Sequence, residues 1–222
     1  NLGCPSGTVT AKGKGAGFLA EPQKLDQFLD QIFSKLDMKI SIKTRIGTHY
    51  EEDWEYLLAI YEKYPIHELI IHPRIQTDMY RGVPRLGAYE KAVNRLKMPL
   101  CYNGNLFSAA DYKRITERFP DTCCFMYGRG LITNPGLVTE IREGIRPDKK
   151  TVREFHDCLF EEYRELLSGE RNVLFRMKEL WSYMAVNFTN YEKYAKKIKK
   201  SQHLSEYSSV VSSLFAEQDL ID

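Results

Sequence analysis

The sequence predicts an α/β protein: a partial TIM (β/α)8 barrel of about five strands, followed by an all-α helical bundle domain. Up to about residue 145, short apolar β-branched runs alternate with amphipathic segments, which is typical of βα units around a parallel sheet. Beyond Arg146-Pro147 the strand signals stop and helical spacing takes over. We therefore expect two domains, a barrel part at 1–146 and a helical domain at 147–222.

The predicted strands alternate with predicted helices along the first part of the chain. The strands are expected at 39–45, 68–72, 100–102 and 123–127, with one more ahead of Cys4, and the helices near 53–64, 86–96 and 108–118. A closed barrel needs eight strands, so we expect either further strands upstream of Asn1 or an open α/β sheet. Each strand ends in polar or glycine residues, and in barrels that edge carries the active site.

The second part of the chain has the pattern of a helical bundle. Helices are expected at 149–168, 170–187, 190–200 and 203–217. Gly169 is expected to end the first of them. Pro147 disfavours helix in the preceding residue, which places the domain boundary at that point.

Composition excludes several classes of protein. The chain has 222 residues, 43% of them hydrophobic, and a formal net charge of +2, so overall charge does not indicate a nucleic-acid partner. No apolar run approaches the about 18 residues of a membrane span, and the N-terminus lacks the pattern of a secretory signal. We expect a cytoplasmic monomer with no membrane contact.

The five cysteines form no CxxC pair, so we interpret them as reduced thiols, and no Cys/His cluster at ligand spacing predicts a metal site. Cys4 stands out because it lies between glycine and proline, ahead of the glycine-rich stretch 12–19. A thiol on such a constrained loop can act as an acid or nucleophile. Taken alone, a buried and inert cysteine is the commoner case.

Two strand ends carry cations or histidine. Lys43 and Arg45 alternate on one strand and so share a face, which favours an anionic ligand over charges that merely face solvent. His72 follows an apolar strand, with Arg74 close behind. A histidine there can hydrogen-bond a heterocycle, although a lone histidine is more often structural.

Two glycine-containing loops follow consecutive strands. They are Asn103-Gly104-Asn105 and Gly128-Arg129-Gly130. Glycines let backbone N–H groups approach an anion, a following helix N-terminus adds positive charge, and Arg129 can bind a phosphate in bidentate fashion. Together the loops predict a phosphate-bearing cofactor.

The helical part carries basic residues near aromatics. Arg176 and Lys178 lie close to Trp181, and five lysines fall between Lys193 and Lys200, Lys196 and Lys197 among them. Such residues either contact RNA phosphates or form a solvated helix face, and both readings stay open.

These motifs, in this order, resemble the tRNA-dihydrouridine synthase family over nearly the whole chain. The resemblance rests on Asn1-Leu2-Gly3-Cys4-Pro5, Gly13-x-Gly15-Ala16, Lys43-x-Arg45-x-Gly47, His72-x-Arg74, Asn103-Gly104 and Gly128-Arg129-Gly130-x-x-x-Asn134-Pro135. It implies FMN-dependent reduction of uridine in tRNA to 5,6-dihydrouridine, with NADPH as electron donor. Asn105, Pro73 and Tyr127 depart from the family pattern, and without the family's first strands we expect weak FMN binding.

Carried over by position, Cys4 would protonate C5 of uracil while reduced FMN delivers hydride to C6. The cofactor-binding residues implied are Lys43, His72, Asn103, Gly104, Asn105, Gly128 and Arg129, and the RNA-binding candidates are Arg74, Arg176, Lys178, Lys196 and Lys197. Two alternatives stay open: an FMN-dependent barrel oxidoreductase acting on a small molecule, and a non-catalytic tRNA-binding protein.

Overall fold

The structure is a computed structural model that describes residues 1–221, and its chain divides into two compact units. The first unit comprises Asn1–Asn105 and Arg114–Tyr127. The second comprises Leu106–Lys113 and the residues from Gly128 onward.

The first unit contains a parallel sheet of four strands in the order β1-β2-β3-β4, which confirms the predicted α/β class. The strands are β1 (Ser41–Arg45), β2 (Glu68–His72), β3 (Leu100–Tyr102) and β4 (Cys124–Phe125). Leu2 adds one parallel bridge to Thr44, where the sequence predicts a strand ahead of Cys4. Closure of this sheet into a barrel stays a prediction.

Helices alternate with the strands as expected. They are α1 (Gly7–Thr10), α2 (Pro22–Lys35), α3 (Asp53–Tyr61), α4 (Leu86–Arg95) and α5 (Ala109–Arg118), with a 3₁₀ segment at Gly15–Ala20. The sequence reading misses α2, although Pro22 in its first turn and the buried pair Leu25 and Leu29, four residues apart, are helix signals.

Strand register places chemically active side chains in rows. Lys43 pairs with Ile70, Ile70 with Cys101, and Cys101 with Cys124. Arg45 pairs with His72 in the next row on the same face, two residues closer to the carboxyl edge of the sheet. Residues in one row of a parallel sheet point to the same side, so these strands present cations and thiols on a common face.

The second unit contains two short helices that the sequence does not predict, α6 (Arg129–Thr133) and α7 (Leu137–Glu143). It also contains the helices expected at the end of the chain, which are α8 (Lys149–Leu166), α9 (Glu170–Met184), α10 (Tyr191–Lys200) and α11 (Leu204–Glu217). Asp148 begins α8 by accepting a 2.7 Å hydrogen bond from the backbone N–H of Thr151. The unit starts before the predicted boundary at 146/147 because α6 packs on α9 and Asn187 donates to the Thr133 carbonyl. A separate domain at 147–222 stays a prediction.

A buried hydrogen-bond chain crosses the helical core. The Trp181 indole N–H donates to the Tyr207 hydroxyl at 2.6 Å, and Tyr207 lies 2.6 Å from His156 Nε2. On the other side of the ring, Nδ1 lies 2.7 Å from the Asp157 carboxylate. Because indole only donates, the consistent arrangement has Tyr207 donating to Nε2 and Nδ1–H donating to Asp157. The chain joins α8, α9 and α11.

Candidate functional site

Cys4 lies on a tight loop closed by the glycine-rich segment. The backbone N–H of Ala16 donates to the Cys4 carbonyl at 2.9 Å, and Cys4 itself is partly exposed. Gly15 has φ +56°, and a Cβ there would lie 2.7 Å from the Cys4 carbonyl oxygen. Only glycine combines this backbone conformation with so close an approach, which explains the glycines that follow the cysteine.

Lys43 lies beside the same loop. A Cβ added at Gly3 would lie 3.5 Å from the Lys43 Nζ atom, so the ammonium group is adjacent to the residue that precedes Cys4. Burial, with the positive charge of Arg45 adding to it, lowers the pKa of Lys43. Within residues 1–221 no carboxylate pairs with this ammonium group. A half-buried cation without a carboxylate is suited to a ligand that carries negative charge.

Arg45 has a structural role rather than the ligand contact that its position on the strand predicts. It is fully buried, and its guanidinium donates to the carbonyls of Gly3 at 3.1 Å, Ile75 at 2.8 Å and Met79 at 2.6 Å. Burial lowers its pKa. Arg45 therefore ties the cysteine loop to the loop after β2. The sequence pattern suggests a ligand contact, whereas in the structure Lys43 alone has a side chain available for one.

His72 and Arg74 form a second cluster, at the end of β2. Arg74 Nη1 lies 3.0 Å from His72 Nε2, and Arg74 Nη2 donates to Asn105 Oδ1 at 3.1 Å and to the Gly82 carbonyl at 2.6 Å. Arg74 is fully buried. The geometry therefore gives Arg74 a positioning role and disfavours the predicted RNA contact in this conformation.

The Asn103-Gly104-Asn105 loop packs against the same cluster. The Asn103 amide donates to the Met126 carbonyl at 2.8 Å, and a Cβ on Gly104 would lie 3.4 Å from the His72 ring and 3.1 Å from Pro84. Asn105 has φ +45°, a conformation that asparagine tolerates. Gly104 thus keeps the backbone close to His72, and Asn105 faces Arg74.

Gly128 and Arg129 belong to the second unit. Space around Gly128 is open, whereas a Cβ on Gly130 would collide with the Leu106 carbonyl oxygen. The guanidinium of Arg129 lies 5.2 Å from the Phe107 ring centre. The following helix, α6, is little more than one turn, so its N-terminus contributes less positive charge than the sequence reading supposes. A shared phosphate site for the two loops stays a prediction.

The predicted RNA-binding residues of the helices differ in exposure. Lys178 donates to the Ser201 carbonyl at the end of α10, and exposed Arg176 pairs with Glu179 at 2.9 Å. Lys196 and Lys197 are exposed. None of the five lysines of α10 pairs with a carboxylate within the described chain, while Tyr194 and Ile198 face the core. The lysines thus form an uncompensated cationic face.

One cluster escapes the sequence reading altogether. Glu68, Cys101 and Cys124 bring one ligand atom each to within 4.8 Å of one another. The expectation of no metal site, which follows from the lack of a Cys/His cluster at ligand spacing, stays a prediction. The sequence pattern does not reveal this cluster because the three residues are far apart in sequence, and only strand pairing makes them neighbours.

Among residues 1–221, no helix is both long and apolar enough to cross a membrane.

The family model described as dihydrouridine synthase (Dus) matches residues 1–218. The chain is 27% identical to tRNA-dihydrouridine synthase B of Pasteurella multocida, over 67% of this chain and 45% of that protein. It is 26% identical to the probable tRNA-dihydrouridine synthase 1 of Synechocystis, over 100% of this chain and 61% of that protein.

A third relative is the tRNA-dihydrouridine(16) synthase of Shewanella oneidensis, 27% identical over 83% of this chain and 59% of that protein. The chain thus spans about half the length of the curated relatives it matches. Matched almost from end to end, the chain belongs to the dihydrouridine synthase family, as its motifs predict.

Proposed function

We propose that the protein reduces a uridine in tRNA to 5,6-dihydrouridine, as an FMN-dependent oxidoreductase with NADPH as electron donor. The observation that carries the proposal is the placement of Lys43, whose half-buried ammonium group lies next to the Gly3-Cys4 backbone without a carboxylate partner. A cation and an accessible thiol side by side suit a reaction in which one atom of uracil accepts hydride and its neighbour a proton.

The residues of the first unit fit a flavin. Lys43 offers a cation to a ring system that gains negative charge on reduction, and His72 offers a ring N–H at a strand end. Because Gly104 has no side chain, its backbone stays close to His72, where a Cβ would crowd Pro84 and His72. When bound, FMN would supply hydride chemistry at C6 of uracil. We assign Lys43, His72, Asn103, Gly104 and Asn105 to its binding, whereas a contribution of Gly128 and Arg129, which belong to the second unit, stays a prediction.

Cys4 is the proton donor in this proposal. Its Sγ holds the proton that C5 of uracil receives, and the Ala16 N–H bond to its carbonyl fixes the loop that presents it. The partly exposed position of Cys4 leaves access for a base that has left its stack. The cationic face of α10, with Lys196 and Lys197, supplies sequence-independent contacts to tRNA phosphates.

The test separates the two half-reactions of the FMN-loaded protein. Cys4→Ala should abolish or strongly slow dihydrouridine formation on unmodified tRNA, while flavin reduction by NADPH stays near the wild-type rate. Cys123→Ser, at an exposed thiol, is the matched control and should change neither rate.

Equal loss of both half-reactions in Cys4→Ala would make Cys4 structural. Wild-type protein that oxidises NADPH with small acceptors but leaves tRNA uridines intact would instead favour the small-molecule oxidoreductase. Parallel assays with NADH and NADPH decide the electron donor.

A further inference from the structure

Three neighbouring strands bring two thiols and a carboxylate together, on residues for which the proposed uridine reduction has no use. Glu68 begins β2, Cys101 lies in the middle of β3, and Cys124 begins β4. Their Sγ and carboxylate oxygen atoms lie within 4.8 Å of one another.

The register of the sheet explains this convergence. Cys101 pairs with Cys124 on one side and with Ile70 on the other, so all three residues lie in one row. Glu68 precedes Ile70 by two residues and therefore shares its face, one step toward the amino-terminal edge. Because Glu68, Cys101 and Cys124 all lie on paired strands, their side chains meet without any loop rearrangement.

The three groups are near neighbours, and Cys124 and Glu68 add to the effect of burial, which raises the pKa of the Cys101 thiol. Tetrahedral Zn²⁺ holds sulfur at about 2.3 Å and carboxylate oxygen at about 2.0 to 2.2 Å, which puts neighbouring ligand atoms roughly 3.5 to 3.8 Å apart. Closing from 4.8 Å or less to that spacing requires shifts of about an ångström, within the range of side-chain rotation.

We propose that Glu68, Cys101 and Cys124 form a Zn²⁺ site with water or an external ligand in the fourth position. Two thiolates and one carboxylate match the ligand preference of Zn²⁺ and give the filled site a net charge of about −1. Lys43, in the same row of the sheet and electrostatically coupled to Cys101, offsets that charge. Cys101 is buried, whereas Glu68 and Cys124 are partly exposed, so the ion has a path from solvent.

The first experiment measures Zn²⁺ affinity of the reduced protein in competition with a chromophoric chelator. Wild type should bind one equivalent. Loss of a residue that only hydrogen-bonds to a metal ligand typically weakens metal binding by about 10- to 100-fold. Cys124→Ser and Glu68→Gln remove ligands themselves, so each should weaken Zn²⁺ binding by at least that factor. Cys123→Ser and Cys158→Ser remove exposed thiols as matched controls and should leave affinity unchanged. Unchanged affinity in both Cys124→Ser and Glu68→Gln overturns the proposal.

A second measurement uses the unaltered protein, so it does not depend on whether a variant folds. Zn²⁺ should slow iodoacetamide alkylation of Cys124, followed by mass spectrometry, and leave its neighbour Cys123 reactive. Equal alkylation of Cys124 with and without Zn²⁺ contradicts the site. Neither readout involves uridine reduction, so failure here and failure of the proposed activity are distinguishable.

Discussion

Arg74 donates a hydrogen bond of 3.0 Å to Nε2 of His72. A guanidinium can only donate, so Nε2 must accept and the ring proton lies on Nδ1. The other nitrogens of Arg74 bind the carbonyls of Arg81 and Gly82 and the side chain of Asn105. One buried cation thus sets the tautomer of the predicted flavin-contacting histidine and fixes the loop beside it.

Removing this cation should disturb both the histidine and the fold. Arg74→Met removes the hydrogen bonds to the carbonyls of Arg81 and Gly82, which should cost about 0.5 to 1.5 kcal/mol each in free energy of unfolding by urea. It should also redistribute the His72 ring proton, which imidazole ¹⁵N shifts report. Arg81→Met, at an exposed neighbour, is the control and should change neither. An unchanged His72 tautomer in Arg74→Met would contradict the positioning role.

Two glycines that follow Cys4, Gly13 and Gly15, allow the cost of a positive φ to be measured separately from the cost of a steric clash with the Cys4 carbonyl. Gly13 and Gly15 both have positive φ, but the space around Gly13 is open, whereas a Cβ on Gly15 meets the Cys4 carbonyl. Gly13→Ala should therefore cost only about 1 kcal/mol of unfolding free energy, from backbone conformation. Gly15→Ala should cost about 1 to 3 kcal/mol more and change the alkylation rate of Cys4. Equal effects would mean that the close approach does not constrain the loop.

Lys43→Met removes the ammonium group assigned to the flavin. A hydrogen bond to a charged group contributes about 1.5 to 3 kcal/mol, so FMN affinity should fall about 10- to 100-fold. Flavin fluorescence quenching measures the affinity, and Lys39→Met, at an exposed lysine near the same strand, is the control. Equal FMN binding by both variants would remove Lys43 from the site.

The buried His156 predicts a pH dependence of stability. Burial lowers its pKa below 6.5 despite the nearby Asp157 carboxylate, so folding favours the uncharged ring. Although burial alone would raise the pKa of Asp157, hydrogen bonds from Arg153 and His156 lower it, which places its titration at more acidic pH. The contribution of His156 is therefore fully present above pH 6.5 and is lost as the pH falls through its lowered folded-state pKa.

Urea unfolding at pH values from about 7 down to 5 measures this effect. Unfolding free energy should decline with pH in wild type and in His203→Gln, which alters an exposed histidine. His156→Gln should flatten the decline in this window. If His203→Gln flattens it instead, the assignment to His156 is wrong.

The lysines of α10 predict a salt-dependent affinity for tRNA. Lys196→Glu with Lys197→Glu should weaken binding and reduce the slope of log affinity against log salt by about 1 to 2, because each phosphate contact contributes about 0.7 to 0.9. Lys24→Glu with Lys35→Glu makes the same charge change at exposed positions of α2. Equal slopes for the two double variants would identify the α10 lysines as a solvated face.

Local signals were sufficient for most of the elements. The β-branched runs at β1 and β2 predict their strands closely, and the helical spacing after Pro147 predicts α8. The spacing of Leu25 and Leu29 is a helix signal for α2, although the glycine-rich stretch just before it predicts a loop.

By itself the sequence determined the family, the α/β class and the candidate residues, because strand period, helix spacing and motif order are local properties of the chain. Tertiary structure alone decided which polar groups face a ligand and which hold the protein together. In the folded protein, Arg45 and Arg74 donate hydrogen bonds to backbone carbonyls, whereas Lys43 has no carboxylate partner within the described residues. Folding also brings Glu68, Cys101 and Cys124 together. The physical reason is that hydrogen-bond saturation and ligand convergence depend on pairing between distant strands, which neither composition nor spacing records.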